Sequence, residues 1–198
     1  MTEKDPMDTW PDLLAETYDV LRPSIAMIDD TLLDRPTPCA EWTLRQLVAH
    51  TVNAIEMFAV AAERGEPVAA STEGEGAALE RFDAAVRRNL AAWRSLADPT
   101  ATLTLHFGEF PAQNVAAINQ LDSLLHGWDI GVALGLPITL PEALSEVAMR
   151  MALVRVPLGR GRVFGTEVAT AGVTSSETLL GFSGRDPAAW PNKQRRSA

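Results

Sequence analysis

The chain is poor in cysteine, and its basic residues are outnumbered by acidic ones. Cys39 is the single cysteine among 198 residues, which excludes an intramolecular disulfide framework and fits a reducing compartment. No apolar run approaches the roughly 18 residues that a membrane span needs, and the acidic N-terminus lacks the regions of a signal peptide. The formal net charge is -9, so the basic footprint that nucleic-acid binding requires is missing. These absences predict a cytoplasmic protein that binds neither membranes nor nucleic acids.

Several motifs with a known chemistry are absent as well. The sequence has no P-loop, no GxSxG, no GxGxxG, no CxxC and no HExxH. The glycines of LGRGRVFG lack the strand–turn–helix context of a phosphate-binding loop. The chemistries that depend on these motifs are therefore disfavoured.

Apolar residues recur at helical spacing in most of the chain. The predicted helices cover about 8–33, 43–64, 77–97, 112–134 and 141–155. Pro23 should bend the first helix, and Thr43 is the expected N-cap of the second. The fourth should stop at Gly135 and Pro137, and the fifth before Pro157. The segment ATLTLHFGEFP alternates apolar and polar residues around a glycine, which predicts a short strand or hairpin.

These elements predict an all-α fold, a four-helix bundle with a short β-hairpin between the third and fourth helices. We expect a single domain over residues 8–198, after a disordered N-terminus at 1–7. Residues from about 157 to 198 are predicted to form an irregular C-terminal extension. Bundles hold metal sites in their core, between side chains of facing helices.

Two of the three histidines stand out as candidate metal ligands. His50 lies on or beside the apolar stripe of the second helix. Asp122 and His126 are spaced i, i+4 on the fourth helix and therefore share one face. A carboxylate among apolar neighbours is costly unless it is paired or bound to a cation. Two imidazoles and one carboxylate would make an open, three-ligand site of the kind used in catalysis. The alternative is a core histidine and an ordinary helical ion pair.

Asp129 continues the same helical face at i+7 from Asp122. Because metal-bound histidines usually donate their second ring nitrogen to a carboxylate or carbonyl, Asp129 could support His126, or it could be a fourth ligand. An exposed helical carboxylate is the plainer interpretation.

Other polar and aromatic residues have weaker assignments. His106, in the hairpin, is a weak catalytic candidate or a surface histidine, and Cys39 is a soft ligand, a nucleophile or an inert thiol. Trp42 and Trp128 flank the ligand regions and are candidates for the wall of a substrate pocket, with core packing as the alternative. The arginines of RVPLGRGRVFG could bind a substrate carboxylate, although solvated loop arginines are more common.

The segments around these residues are similar to those of a known family. PCAEWTLRQLVAHTVNA and DSLLHGWDIGVALGLP resemble the paired motifs of the DinB-like, mycothiol-dependent maleylpyruvate isomerase superfamily. FGEFP and LLGFSGRDPAAW resemble segments of an actinobacterial metal-binding subgroup, so the resemblance extends from about Trp10 to Trp190.

This resemblance implies a DinB-type bundle that holds a divalent metal, usually zinc or nickel, through His50, Asp122 and His126. It further implies a thiol such as mycothiol as cosubstrate, in an isomerase or S-transferase reaction on a small molecule. Two features differ from the family. Asp122 stands where many members have a longer Glu, and the larger C-terminal domain with its catalytic arginine has no counterpart here.

Three functions stay open on the sequence. The first is a metal- and thiol-dependent transferase or isomerase. The second is a metal-dependent hydrolase, lyase or tailoring enzyme that needs no thiol. The third is a non-enzymatic metal- or small-ligand-binding protein, whose structural ion would have four protein ligands. A homodimer is compatible with each of them.

Overall fold

The computed structural model describes residues 6–69, 77–98 and 100–188. It contains six helices and one two-stranded sheet within these ranges. The elements are α1 Pro6–Ala26, α2 Leu44–Ala62, α3 Ala78–Ser95, β1 Thr102–Leu105, β2 Gly108–Pro111, α4 Ala112–Ala133, α5 Glu142–Gly159 and α6 Ser175–Phe182. The predicted order of helices and the hairpin between the third and fourth are confirmed.

The first four helices form the bundle, and α4 is its most enclosed member. α1 packs on α3 and α4, and α2 packs on the same two helices. A second apolar cluster lies on the other side of α4, where α5 packs on α4 and α6 packs on α5. α4 is therefore buried along nearly its whole length, as is typical of a helix that is apolar around most of its circumference.

Local signals in the sequence determine where the two site-bearing helices begin and end. Thr43 caps α2 with a capping box, in which the Gln46 amide donates to the Thr43 hydroxyl and the Gln46 side chain accepts from the Thr43 amide. α4 ends at the predicted glycine, since Gly135 adopts a φ of 81° and donates its N–H to the Val132 carbonyl. The position of His50 along α2 thus depends on a cap seven residues earlier.

The hairpin is antiparallel, and its register pairs Leu103 with Phe110 and Leu105 with Gly108. Leu103 and Leu105 point into the core, while Thr102 and Thr104, which alternate with them, are exposed. The two-residue connection consists of His106 and Phe107. The predicted alternation is confirmed.

Two predicted helix ends were wrong. α1 begins at Pro6, two residues before the predicted start, but it ends at Ala26 and does not reach Leu33. α5 continues through Pro157 to Gly159, because the bond that this proline cannot donate would go to Leu153, a residue on the exposed face. The C-terminal extension is not wholly irregular.

The extension contains α6, whose start is well satisfied. The Glu177 amide donates to the Thr174 hydroxyl, and Glu142 of α5 accepts from the Ser175 amide at 2.7 Å. These bonds explain why a short helix forms in a segment rich in glycine and threonine. The predicted disorder at 1–7 falls mainly on residues 1–5, which lie outside the described residues, as do residues 189–198.

Candidate metal centre

The bundle brings together the three residues that the sequence predicts as metal ligands. α2 contributes His50, and one face of α4 contributes Asp122 and His126. One ligand atom from each of the three lies within 4.8 Å of the others. The His126 Nε2 is 3.6 Å from the Asp122 Oδ1, and the His50 and His126 rings lie edge to face with centroids 5.1 Å apart. Two imidazoles and a carboxylate therefore converge between facing helices.

The spacing of these atoms fits a small divalent ion. Ligand bonds of about 2.1 Å in a tetrahedron place the ligand atoms roughly 3.4 Å apart. The Asp122–His126 distance of 3.6 Å is close to that value, and one His50 ring nitrogen lies within 4.8 Å of both other ligand atoms. The donor set of two nitrogens and one oxygen suits zinc and nickel.

The electrostatics of the site differ between its two histidines. Burial lowers the pKa of His50, so this ring is neutral at pH 7. Burial also acts to lower the pKa of His126, but the charge of Asp122 and the hydrogen bond to Asp129 outweigh it and raise the pKa to about 10. The pocket around His126 thus favours a positive charge, which a proton supplies when no cation is bound.

Asp129 lies behind His126 and faces away from the ligand group. Its carboxylate is fully buried and accepts two bonds from Arg185, from Nε to Oδ1 at 2.9 Å and from Nη2 to Oδ2 at 2.6 Å. The His126 Nδ1 is 3.1 Å from Oδ2, and the Cys39 thiol donates to the same oxygen at 3.5 Å. Because an ionised carboxylate can only accept, Nδ1 must carry a hydrogen, and in neutral His126 the lone pair falls on Nε2, which faces Asp122.

This arrangement favours the supporting role over the fourth-ligand role for Asp129. The same residue also belongs to a second group, in which ligand atoms of Cys39, His126 and Asp129 lie within 4.8 Å. Arg185 already occupies both oxygens of Asp129, and burial raises the pKa of Cys39. Both facts make this second group a poor cation site.

The buried Asp129–Arg185 pair makes stability depend on acidic pH. Although burial opposes it, the Arg185 charge lowers the pKa of Asp129 from 3.8 to about 2. A carboxyl with a depressed pKa stabilises the fold above its unfolded pKa, near 4, and loses that contribution as the pH falls through the folded pKa. We expect the free energy of unfolding to drop by on the order of 2 kcal/mol between pH 4 and pH 2 from this group alone.

Urea denaturation at half-unit pH steps would measure that drop. The double variant Asp129→Asn/Arg185→Met is the control, since it lacks both charges of the pair. Its stability should change less steeply over the same interval. Equal slopes in the two proteins would contradict the assignment.

Of the other predicted site residues, one lies at the metal centre, one lies in the core and one lies at the surface. Trp42 is half-buried with its ring 4.4 Å from the His50 ring and 6.1 Å from the His126 ring, measured between centroids, so it lies at the site. Trp128 is 1% exposed within the apolar cluster between α4, α5 and α6, which is a core position and not an open pocket wall. His106 is exposed at the hairpin turn and packs on Phe107.

The arginines of the RVPLGRGRVFG segment have other partners. Arg155 stacks over Phe107 and Phe110, and Arg160 stacks over Phe182 and donates to the Gly165 and Phe182 carbonyls. Arg162 donates to the Leu158 carbonyl. These contacts are structural, so the predicted carboxylate-binding role gains no support from them.

Arg185 is a site residue that the sequence does not predict. Its side chain is 12% exposed and reaches Asp129 from a segment 56 residues away. Its one sign in the sequence is the family-like segment LLGFSGRDPAAW, which contains Arg185 but does not indicate a partner for it.

Comparison with solved structures defines the class of fold. The protein has the DinB-like bundle seen in the crystal structure of the mycothiol-dependent maleylpyruvate isomerase, with a TM-score of 0.56 and 17% identity over 79% of this chain and 73% of that one. A histidine-to-alanine mutant of that enzyme superimposes with a TM-score of 0.54 at 16% identity and the same coverage. At this identity the likeness establishes the fold alone.

The family follows from the sequence match. The mycothiol maleylpyruvate isomerase N-terminal domain family matches residues 14–131, which include His50, Asp122 and His126, and the chain belongs to this family. The uncharacterized proteins Rv0738 and MT0763, from two strains of Mycobacterium tuberculosis, are each 33% identical to it over 138 residues, covering 68% of this chain and 74% of theirs. α5, α6 and Arg185 lie beyond the range that the family matches.

No helix in the part of the chain that the structure describes is both long and apolar enough to cross a membrane.

Proposed function

We propose that this protein is a divalent-metal-dependent enzyme that uses a small thiol of the mycothiol type in an isomerase or S-transferase reaction. The observation that carries the proposal is the convergence of His50, Asp122 and His126 within 4.8 Å between α2 and α4. All three residues lie inside the range matched by the mycothiol maleylpyruvate isomerase N-terminal domain family. The proposed substrate is a small molecule, and the proposed compartment is the cytoplasm.

The chemistry of the donor set supports zinc or nickel as the metal. Three protein ligands leave at least one coordination position open, as catalytic sites require. A divalent ion held there would bind the thiol sulfur and favour its thiolate form, which is the nucleophile. With two neutral histidines and one ionised Asp122, the site would carry a net charge of about +1, which favours an anionic ligand such as a thiolate.

The surrounding residues restrict how a thiol and its partner would approach. Asp122 is the more open ligand, with a side chain that is 31% exposed, against 12% for His126. Trp42 covers the His50 ring from the loop that precedes α2. An incoming molecule would therefore reach the site past Asp122 with the indole as an apolar wall.

Within the described residues, the ligand group around Asp122 contains three protein donors. Asp129 is held by Arg185, and His106 lies at the hairpin turn, so neither adds a fourth. A structural zinc site usually has four protein ligands. The open geometry therefore favours a catalytic ion over a structural one.

A two-by-two assay tests the proposal. The protein is prepared without an affinity tag, loaded with zinc or kept metal-free, and assayed with or without mycothiol. The substrates are maleylpyruvate and a panel that includes an epoxide and a haloalkane. We expect turnover only when both zinc and mycothiol are present, because the ion is needed to activate the sulfur.

The other possible outcomes of this assay would each overturn a different part of the proposal. Zinc-dependent turnover without thiol would overturn the thiol requirement and favour a hydrolase or lyase. Stoichiometric zinc without turnover of any substrate would favour a binding protein. A protein that takes up neither zinc nor nickel would overturn the metal site itself.

A further inference from the structure

The Arg185–Asp129 pair is a feature that the metal ligands alone do not explain. Both charges are largely removed from water, with Asp129 at 0% and Arg185 at 12% exposure. Burying such a pair costs desolvation energy that a well-packed apolar pair does not, so stability alone does not explain why charged residues stand at these positions. The further contact of the carboxylate is with His126.

Asp129 connects Arg185 to His126 through a single oxygen. Oδ2 accepts from the Arg185 Nη2 at 2.6 Å and lies 3.1 Å from the His126 Nδ1. Arg185 also holds Oδ1 through Nε at 2.9 Å, so the carboxylate plane is fixed at both oxygens. The terminal torsion of an aspartate is otherwise soft. Fixing this plane fixes the acceptor for Nδ1 and hence the orientation of the imidazole.

The backbone around Arg185 is itself held in place. Its amide donates to the Leu180 carbonyl at 2.9 Å, at the end of α6. Gly184 adopts a φ of 87°, and a Cβ there would lie 2.8 Å from the Gly165 backbone. The guanidinium also donates to the Ser183 hydroxyl at 3.3 Å. Arg185 therefore reaches Asp129 from a rigid turn.

We propose that Arg185 is a positioning residue of the metal centre, which acts through Asp129 to hold the His126 ring with Nδ1 donating to Asp129 and Nε2 facing the position of the metal. This inference rests on the proposed metal site. It makes the C-terminal segment, which lies beyond the family-matched residues, a working part of that site.

The test compares four variants by zinc affinity, measured by competition with a chromophoric chelator. Arg185→Met removes the guanidinium group, and Arg185→Lys keeps the charge but loses the bidentate contact with Asp129. Arg160→Met is the matched control, because Arg160 anchors the same segment through the Phe182 carbonyl without touching Asp129. The double variant Asp129→Asn/Arg185→Met leaves no unpaired buried charge, which secures a folded protein if Arg185→Met is unstable.

We expect Arg185→Met to weaken zinc binding by about 10- to 100-fold, the usual effect of losing a partner that orients a ligand. Arg185→Lys should recover part of that loss, and Arg160→Met should bind zinc like the wild type. The double variant should also bind more weakly than the wild type. Wild-type affinity in Arg185→Met, or in the double variant when Arg185→Met does not fold, would overturn the inference.

A second readout is independent of metal. In the zinc-free protein, nuclear Overhauser contacts between the His50 and His126 rings report the imidazole orientation, since their centroids are 5.1 Å apart. These contacts should persist in Arg160→Met and weaken in Arg185→Met and in the double variant. Their persistence in folded Arg185-substituted protein would contradict the positioning role. Failure of the wild type to bind zinc would overturn the proposed function instead, and the ring contacts would still decide the role of Arg185.

Discussion

His126→Ala is expected to abolish stoichiometric zinc binding. The substitution removes one of three converging ligands and leaves His50 and Asp122 as an incomplete pair. Loss of a ligand should exceed the roughly 10- to 100-fold effect of losing a residue that only orients one. Any zinc- and thiol-dependent turnover should fall to the background rate. Elemental analysis after dialysis, followed by the two-by-two assay, measures both effects.

The chain provides its own matched control for this prediction. His106→Ala removes the third histidine, which is exposed at the hairpin turn and packs on Phe107. This variant should keep one zinc per chain and the wild-type rate. Retention of zinc by His126→Ala, or an equal loss in His106→Ala, would show that the metal binds elsewhere.

Trp128→Ala should lower the stability of the protein more than Trp42→Ala does. The Trp128 side chain fills the cluster between α4, α5 and α6 and is 1% exposed. Truncating a buried tryptophan leaves a cavity and typically costs about 3–5 kcal/mol. Urea denaturation would show this as a lower midpoint with an unchanged dependence on urea concentration.

Trp42→Ala is the comparison for Trp128→Ala. Trp42 is only half-buried and packs on His50 at the site. We expect a smaller loss of stability than in Trp128→Ala and a clearer change in the Michaelis constant for the thiol or its electrophile. The reverse pattern, with Trp128→Ala fully stable but selectively inactive, would return Trp128 to the wall of the substrate pocket.

Helical periodicity in the sequence is enough to predict which three side chains converge. The i, i+4 spacing places Asp122 and His126 on one face regardless of the rest of the fold. His50 could be paired with them because a bundle turns the apolar stripes of its helices toward a common core. The cap at Thr43 and the stop at Gly135 are likewise local, since each depends on residues within one turn.

Other features of the fold depend on contacts between residues that are far apart in the sequence. Trp128 belongs to the same apolar face as its neighbours, and only the docking of α5 and α6 makes it core. α5 passes through Pro157 because the affected carbonyl belongs to an exposed residue, which periodicity does not reveal. α6 depends on Glu142 of α5, which accepts from the Ser175 amide 33 residues away.

The helical class, the hairpin and the three candidate ligands could be predicted from the sequence, because they follow from short-range spacing and from the apolar pattern of each helix. Which carboxylate faces His126 Nε2 and which faces Nδ1 became visible only in the folded chain. Folding also brought Arg185 to Asp129 across 56 residues of chain. Pairing of buried charges depends on which surfaces meet after the chain has folded, and no periodicity in the sequence encodes that meeting.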